Sequence, residues 1–387
     1  MQKLNVGFIF GGDSAEREVS IVTMLQIKRL AEVSGWMIPH YIFWDKNGKD
    51  MYKIDGKYLV AKTFEGDEYK KLGRAFMFAY GGDAVSVKAF KRRIFHVDAV
   101  VNCCHGGYGE SGELSGFMKV LGIPFTTPSV LGLGVSMDKH IFKSLMRAVK
   151  IKVPSWVSFS KSEFENTERF DVIKEKISRL GEEVIVKPNA SGSSLGVSIS
   201  EGMQEVENAI RVAFKFDSRV IVERVIPNLV EFNCVCMKAR GETIVTDVDQ
   251  IERSGDMFTF EQKYIGEERG HSKVSGKKLA GMAGAARMLP APISDELTGK
   301  IKQVARKVFD TLGLVAPARV DFLFDSERGE LFVGEVNAVP GSMGLYFFER
   351  TNFDGLRVLR EMVMAAISEH KKQLSVSDEF VPKIFRK

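Results

Sequence analysis

The chain has 387 residues, 44% of them apolar and 27% charged, with 55 Lys and Arg against 50 Asp and Glu for a net charge of +5. That length implies two or three domains with sizeable cores; the basic excess is weak and its runs are short and free of interleaved aromatics, which argues against a nucleic-acid-binding face. Four cysteines, Cys103, Cys104, Cys234 and Cys236, fit neither a disulfide framework nor a paired zinc site and are expected to be reduced structural thiols. No run approaches the roughly 18 apolar residues of a membrane span, and the first residues carry no cleavage-like segment, so a soluble, cytoplasmic protein is expected.

In chain order, an apolar strand over 4–10 ends at Gly11-Gly12, and Ile21, Met24, Leu25 and Leu30 then recur at helical spacing before Gly35. The alternation returns with a strand over 97–101, the loop CHGGYGESG at 104–112, and a helix with Leu114, Phe117, Met118 and Leu121 on one face. Repeated βα units predict a parallel sheet flanked by helices, with ligands at the carboxyl ends of its strands, where both glycine loops fall. A helix over 136–150 presents Ile141, Phe142, Leu145 and Met146 on one side, and a second domain follows: a strand over 184–187, a glycine-rich loop, a helix over 202–215 and a strand over 220–225. EFNCVCMKA (231–239) and TIVTDV (243–248) read as paired strands. A polar stretch at 252–277 is too long for a simple connection and is of the kind that forms lids. A helix over 295–312 leads into ARVDFLF and ELFVGEVNAVPG, two strands joined by the turn DSERG.

Chemistry-bearing residues concentrate in two places. On the last hairpin, Glu335 and Asn337 are two apart and share a face that Asp321 of the neighbouring strand can join. Two carboxylates and an amide suit a hard cation such as Mg²⁺, or they are ordinary acids on an exposed strand. The other place is KPNASGSSLGV at 187–197, where Lys187 ends a strand before a run of small hydroxyl-bearing residues. Such a loop either surrounds phosphate oxygens with N–H groups and hydroxyls or simply turns. As an unpaired lysine, Lys187 would contribute little to the fold. A lysine, a phosphate-type loop and an oxygen triad in one chain favour nucleotide binding.

Seven motifs then occur in order: GGDSAEREVS (11–20), HGGYGESG (105–112), MDKHIFK (137–143), VKPNASGSSLGVS (186–198), EQKY (261–264), RVDF (319–322) and GEVNAVPGS (334–342). Together they resemble the D-alanine-D-alanine ligase family of the ATP-grasp superfamily. The resemblance implies an α/β fold, an amino-terminal βα domain (1–136) followed by two ATP-grasp parts (137–226 and 227–387). It implies ATP with two magnesium ions, or manganese in their place, D-alanine as substrate, and a homodimer with no nucleic-acid or membrane partner. By the same resemblance Lys139, Lys187 and Ser193 contact phosphates, Lys263 the nucleotide, Glu223 the adenine and Glu231 the ribose. Asp321, Glu335 and Asn337 hold the metal, and Arg319 with the Gly341 N–H stabilises the tetrahedral oxyanion. Glu16 binds the first substrate's ammonium and, with Ser193 and Tyr264, closes the lid. His105 either lines the substrate site or braces the fold, and Ser342 lies beside the acceptor.

Three positions depart from the family pattern. Ser111 stands where an acid is usual, the spacing from Glu223 to Glu231 is one residue longer, and Tyr346 occupies the place of the serine that binds the acceptor's carboxylate. The pair Lys263-Tyr264 favours an amine acceptor over a hydroxy acid, and His271, seven residues on, is expected to face solvent.

Overall fold

The computed structural model describes residues 2–47, 50–87, 92–192, 195–251 and 287–375, and its described strands form three sheets. The first contains β1 (Leu4–Gly11), β2 (Met37–Trp44), β3 (Met51–Ile54), β4 (Arg74–Phe78), β5 (Asp83–Ser86), β6 (Arg93–His96) and β7 (Ala99–Asn102), in the order β6-β5-β4-β3-β2-β1-β7. β1 pairs in parallel with β2 and β7, while β3 to β6 extend the sheet as an antiparallel meander. β1 is covered on both faces. Phe8 and Phe10 pack with Met24 and Ile27 of the helix Arg17–Val33, and Ile9 packs with Leu114 and Met118 of the helix Glu113–Val120. A strand buried on both sides reads as an unbroken apolar run, which is why it is visible in sequence.

The second sheet contains β8 (Trp156–Ser160), β9 (Glu183–Pro188), β10 (Ser198–Glu201) and β11 (Arg219–Arg224), antiparallel in the order β10-β9-β11-β8. Helices Thr167–Ser178 and Met203–Ala213 cover one face, with Phe170, Ile173, Val206 and Ile210 against Val184, Val186, Val220 and Val222. The other face carries Lys187 and Glu223, because the period of two along each strand turns alternate side chains away from the helices.

The third sheet contains β12 (Leu229–Ala239), β13 (Glu242–Val245), β14 (Asp249–Ile251), β15 (Arg287–Met288), β16 (Ala318–Asp325) and β17 (Glu330–Asn337). Its order is β15-β14-β12-β16-β17, with β13 also on β12. The helix Asp295–Thr311 packs Ile301, Ala305 and Phe309 against Cys234, Phe322 and Val333. Val358, Leu359 and Met362 of the last described helix, Gly355–Ser375, share one core with β1 and with Val235 and Met237 of β12, so the first and third sheets are joined through apolar packing.

Two local expectations change. The helix expected over 136–150 is two helices, Val130–Met137 and Lys139–Ala148, because the Asp138 side chain accepts from the Ile141 N–H and caps the second. Ile141 and Phe117, expected on buried faces, are 46% and 45% exposed, since Phe142 with Met146 and Leu114 with Met118 fill the cores instead. The stretch 252–277 lies outside the described residues. All four cysteines are buried and unpaired, and no described helix is long and apolar enough to cross a membrane.

Candidate active site

The end of β9 and the start of the helix Lys139–Ala148 are tied together by backbone. The Lys139 N–H donates to the Asn189 carbonyl (3.1 Å), and the His140 N–H to Asn189 Oδ1 (3.0 Å). This brings Lys139 Nζ to the Ser191 carbonyl at 2.8 Å, inside the glycine-rich loop that Lys187 opens. The loop's start is fixed by Asp217, whose carboxylate accepts from the Ala190 N–H (2.6 Å). Both lysines therefore flank one loop, as a phosphate site requires. Ser193 lies outside the described residues.

Glu223, expected at an adenine, turns inward and is 1% exposed. Its carboxylate lies 3.0 Å from Lys187 Nζ and 3.3 Å from Lys143 Nζ. Lys187 is thus paired, contrary to the expectation of an unpaired lysine. Burial pushes the Glu223 pKa up, but the two lysines outweigh it and leave the carboxyl below its usual range. One anion shared by two cations leaves an excess positive charge, and burial brings Lys143 down to about 8. Sequence reading missed Lys143, although its spacing of four from Lys139 places both on one helix face.

On the hairpin, Asp321 of β16 is opposite Glu335 of β17, and Arg319 is opposite Asn337. Arg319 grips Asp321 through two hydrogen bonds, Nε to Oδ1 (2.6 Å) and Nη2 to Oδ2 (2.7 Å), a fork that fixes both side chains. Across β12 the row continues: Asn233 is the register partner of Asp321 on one side and of Asp249 on the other. The Asn233 amide, with its nitrogen toward Asp321, donates to Oδ1 at 3.1 Å. Asn337 Oδ1 is buried without a hydrogen-bond partner. An orphaned amide oxygen beside two carboxylates is a donor set of oxygens only, which fits a hard cation. Lys139 is close enough to Glu335 for their charges to interact, so this row and the glycine-rich loop face one another. Glu231 stands on β12 of the same sheet, between Leu323 of β16 and Ile251 of β14.

Glu16 is at the meeting of three loops. A Cβ at Gly106 would come within 2.5 Å of its Oε2, and one at Gly192 within 2.8 Å, so a side chain at either position would displace this carboxylate, and Gly106 also holds a φ of 64° that favours glycine. Ser14 Oγ donates to the His105 carbonyl (2.6 Å), binding the two amino-terminal loops together. His105 is 4% exposed, with Nε2 at 2.8 Å from Thr23 Oγ1, and burial lowers its pKa to about 4 despite a contact with Val339 that raises it. Of its two expected roles, the geometry gives it the brace. Thr23 Oγ1 also accepts from the Ser342 N–H (3.2 Å), and the Ser342 hydroxyl bonds Gln26. Ser342 thereby docks the segment after Gly341 onto the helix Arg17–Val33. A Cβ at Gly341 would meet nothing within 4 Å, so its backbone borders open space. Ser111 is half-buried and bonds the Gly107 carbonyl (2.7 Å) and Glu113, a local contact where the family has an acid.

Glu110 was not singled out by the sequence. Its Oε2 accepts from the Gly106 N–H (3.0 Å) and its Oε1 from the Val339 N–H (3.3 Å), linking the second loop to the end of β17. Burial first, and then the charge of Glu16, raise its pKa to about 7. Tyr346 Oη accepts from Arg287 Nη1 at 2.5 Å, and Arg287 is in turn held by Asp249. Lys263, Tyr264 and His271 lie outside the described residues.

A central antiparallel sheet with a glycine-rich loop, facing a second sheet that carries a carboxylate and amide row, is the ATP-grasp architecture, and the class of protein is a ligase of that superfamily. Residues 5–128 match the family described as D-ala D-ala ligase N-terminus, and residues 145–352 match D-ala D-ala ligase C-terminus. The chain belongs to the D-alanine-D-alanine ligase family and is an enzyme of this ligase class. It is 30% identical over 381 residues to the D-alanine-D-alanine ligase of Thermosipho africanus, covering 96% of this chain and 95% of that protein. It is 31% identical over 354 residues to the enzyme of the same name from Sulfurovum sp., covering 91% of each. Among solved structures, the D-alanine-D-alanine ligase from Coxiella burnetii superposes with a TM-score of 0.78 over 97% of both chains at 23% identity, a likeness of fold. The VanG D-Ala:D-Ser ligase from Enterococcus faecalis gives 0.77 over 94% of this chain and 100% of that one at 26% identity.

Proposed function

We propose that the protein uses ATP to activate one D-alanine as D-alanyl phosphate and joins it to a second, giving D-alanyl-D-alanine for peptidoglycan precursors. The observation that carries this reading is that Lys139, from a helix start, and Lys187, from the end of β9, flank one glycine-rich loop, with Lys139 within charge range of Glu335 in the row of Arg319, Asp321, Glu335 and Asn337. Positive groups on one wall and oxygen donors on the other are what a nucleotide triphosphate needs between them. Residues 1–136 would carry the first substrate, 137–226 the phosphate loop, and 227–387 the metal set and lid, in a homodimer.

Asp321, Glu335 and Asn337 would hold Mg²⁺, which supplies neutralisation of phosphate charge when bound. Lys139 and Lys187 hold the phosphates, with Lys187 aimed by Glu223. Glu16 takes the ammonium of the first D-alanine, so that the substrate's carboxylate lies in line with the γ-phosphate and attacks it, breaking the bond to the bridging oxygen with ADP as the leaving group. The amine of the second D-alanine, after losing a proton, attacks the resulting carbonyl and phosphate leaves. Arg319 and the Gly341 N–H donate to the oxygen that becomes negative in that step. Ser193, Lys263 and Tyr264, outside the described residues, would by the family resemblance serve the phosphates, the nucleotide and the lid, and Glu231 the ribose.

Phosphate release with ATP, Mg²⁺ and single D-amino acids tests the proposal. D-alanine should be required, and Asp321→Asn or Glu335→Gln should remove nearly all turnover; melting should stay within a few degrees of wild type in Glu335→Gln and fall further in Asp321→Asn, which leaves the buried Arg319 without its carboxylate. Wild-type rates in either variant would sink the metal assignment.

A further inference from the structure

Asp249, Arg287 and Tyr346 form a cluster that the reaction described so far leaves without a role. Asp249 is fully buried on β14 and Arg287 is on β15, where the two strands pair. Arg287 Nη1 donates both to Asp249 Oδ2 (2.7 Å) and to Tyr346 Oη (2.5 Å), and its guanidinium carbon lies 5.2 Å from the Tyr346 ring centre. Arg287 Nε and Asp249 Oδ1 are buried without partners, so the pair is not satisfied by the contacts it makes. Asp249 belongs to the row Asp249, Asn233, Asp321, Glu335 across four adjacent strands, which sets the cluster about 10 Å from Asp321 at roughly 4.8 Å per strand. Tyr346 follows Gly341 by five residues, on the same turn.

A phenol has one proton to donate, and here its oxygen already accepts from Arg287. The proton must then point away from Arg287. Without that arginine, the strongest acceptor nearby would be the Asp249 carboxylate, and the hydroxyl would turn to it. Burial dominates and holds the Tyr346 pKa at about 12, with Arg287 and Arg319 lowering it and their partners Asp249 and Asp321 raising it, so the hydroxyl keeps its proton and remains a donor. We propose that Arg287, anchored by Asp249, is a positioning residue that fixes Tyr346 as hydrogen-bond donor to the acceptor's carboxylate and so makes a free carboxylate a requirement of the second substrate. This rests on the dipeptide-forming reading above.

The test measures initial rates of the full-length enzyme with D-alanine as donor and either D-alanine or D-alaninamide as acceptor. Arg287→Leu and Tyr346→Phe should each raise KM for the second D-alanine at least 10-fold, with KM for the first D-alanine and for ATP within 2-fold. The double variant should lose no more than the worse single, because both changes break one device. With D-alaninamide all forms should perform alike within 2-fold. Arg287→Lys, which keeps a cation and fills much of the same space, provides a folded comparison and should recover part of the loss. An unchanged second KM in Arg287→Leu or, if that variant does not fold, in Tyr346→Phe would overturn the inference. So would an equal loss with D-alaninamide. Absence of D-alanine-dependent phosphate release in the wild type would instead overturn the ligase reading itself.

Discussion

Glu223→Gln is the sharpest probe of how the phosphate wall is built. The substitution keeps shape and removes charge, leaving Lys143 Nζ, with its side chain 1% exposed, beside Lys187 with no counter-ion. Breaking a buried pair in this way costs about 3–5 kcal/mol. A ceiling comes from the alternative open to Lys143, which is to shed its proton: at about 1.4 kcal/mol per pH unit between an ordinary lysine pKa near 10.4 and pH 7, that costs about 5 kcal/mol. The sign of the pH dependence follows. Wild-type Lys143 holds its proton to about pH 8, so it adds no slope below that, and stability rises only above it, where the unfolded chain keeps a proton the folded one has lost. In the variant the folded pKa falls further and the rise begins earlier. Between about pH 7 and 8 the variant should therefore regain stability, at up to ~1.4 kcal/mol per pH unit, while the wild type gains nothing from this group. Hydrogen exchange of the β8, β9 and β11 amides, read across that range, measures it locally. Lys187→Ala should destabilise less, since Lys143 still neutralises Glu223. Protection in Glu223→Gln within about 1 kcal/mol of wild type, with parallel pH profiles, would refute the reasoning.

Glu110 keeps its proton to about pH 7 in the fold and to about 4.5 in the unfolded chain, so stability should fall as pH rises through that window, and Glu110→Gln should flatten the profile in a melting series. Thr23→Val strands the buried His105, worth about 1–3 kcal/mol when unpaired, and frees the half-buried Ser342 N–H; melting temperature should drop, and kcat should fall more than KM for ATP rises. Product analysis from equal D-alanine, D-serine and D-lactate should give D-alanyl-D-alanine as the main species, with rate rising from neutral to mildly alkaline pH as the acceptor amine deprotonates; D-alanyl-D-lactate as the main product would reverse the acceptor assignment.

What could be read from the residues alone was what local period and spacing determine. The continuous apolar run of β1, the two glycine loops and the i, i+2 placement of Glu335 and Asn337 all express themselves within a few residues, and register then put Asp321 opposite Glu335. Contacts made across long separations had no such signal. Glu223 reads as the end of a strand, and only the tie of the helix Lys139–Ala148 to Asn189, just past β9, brings Lys143 to it from 80 positions away. Asp249 and Arg287 are 38 apart with the stretch 252–286 between them, and neither type nor spacing hints at their pairing. The edge meander β3 to β6 escaped because short strands with mixed faces, such as Asp83–Ser86, carry too little alternation to stand out.

The segment after Gly341 shows why a site of this kind joins two sheets. Ser342 (φ 52°), Met343 (φ 55°) and Gly344 (φ 61°) form a left-handed run, a conformation that costs a non-glycine residue on the order of 1–3 kcal/mol. A right-handed turn here would carry the chain away from the hairpin. The left-handed one folds it back, so that Gly341 borders open space while Tyr346 returns to Arg287. The opposing terms are visible: Met343 is 2% exposed in the core shared with β1, and the Ser342 N–H is taken by Thr23 from the first domain. Burying a methionine contributes about 1.5–3 kcal/mol, comparable to the strain on either residue. The backbone donor proposed for the oxyanion is therefore held by packing from the helix that begins beside Glu16, the residue proposed to bind the first substrate.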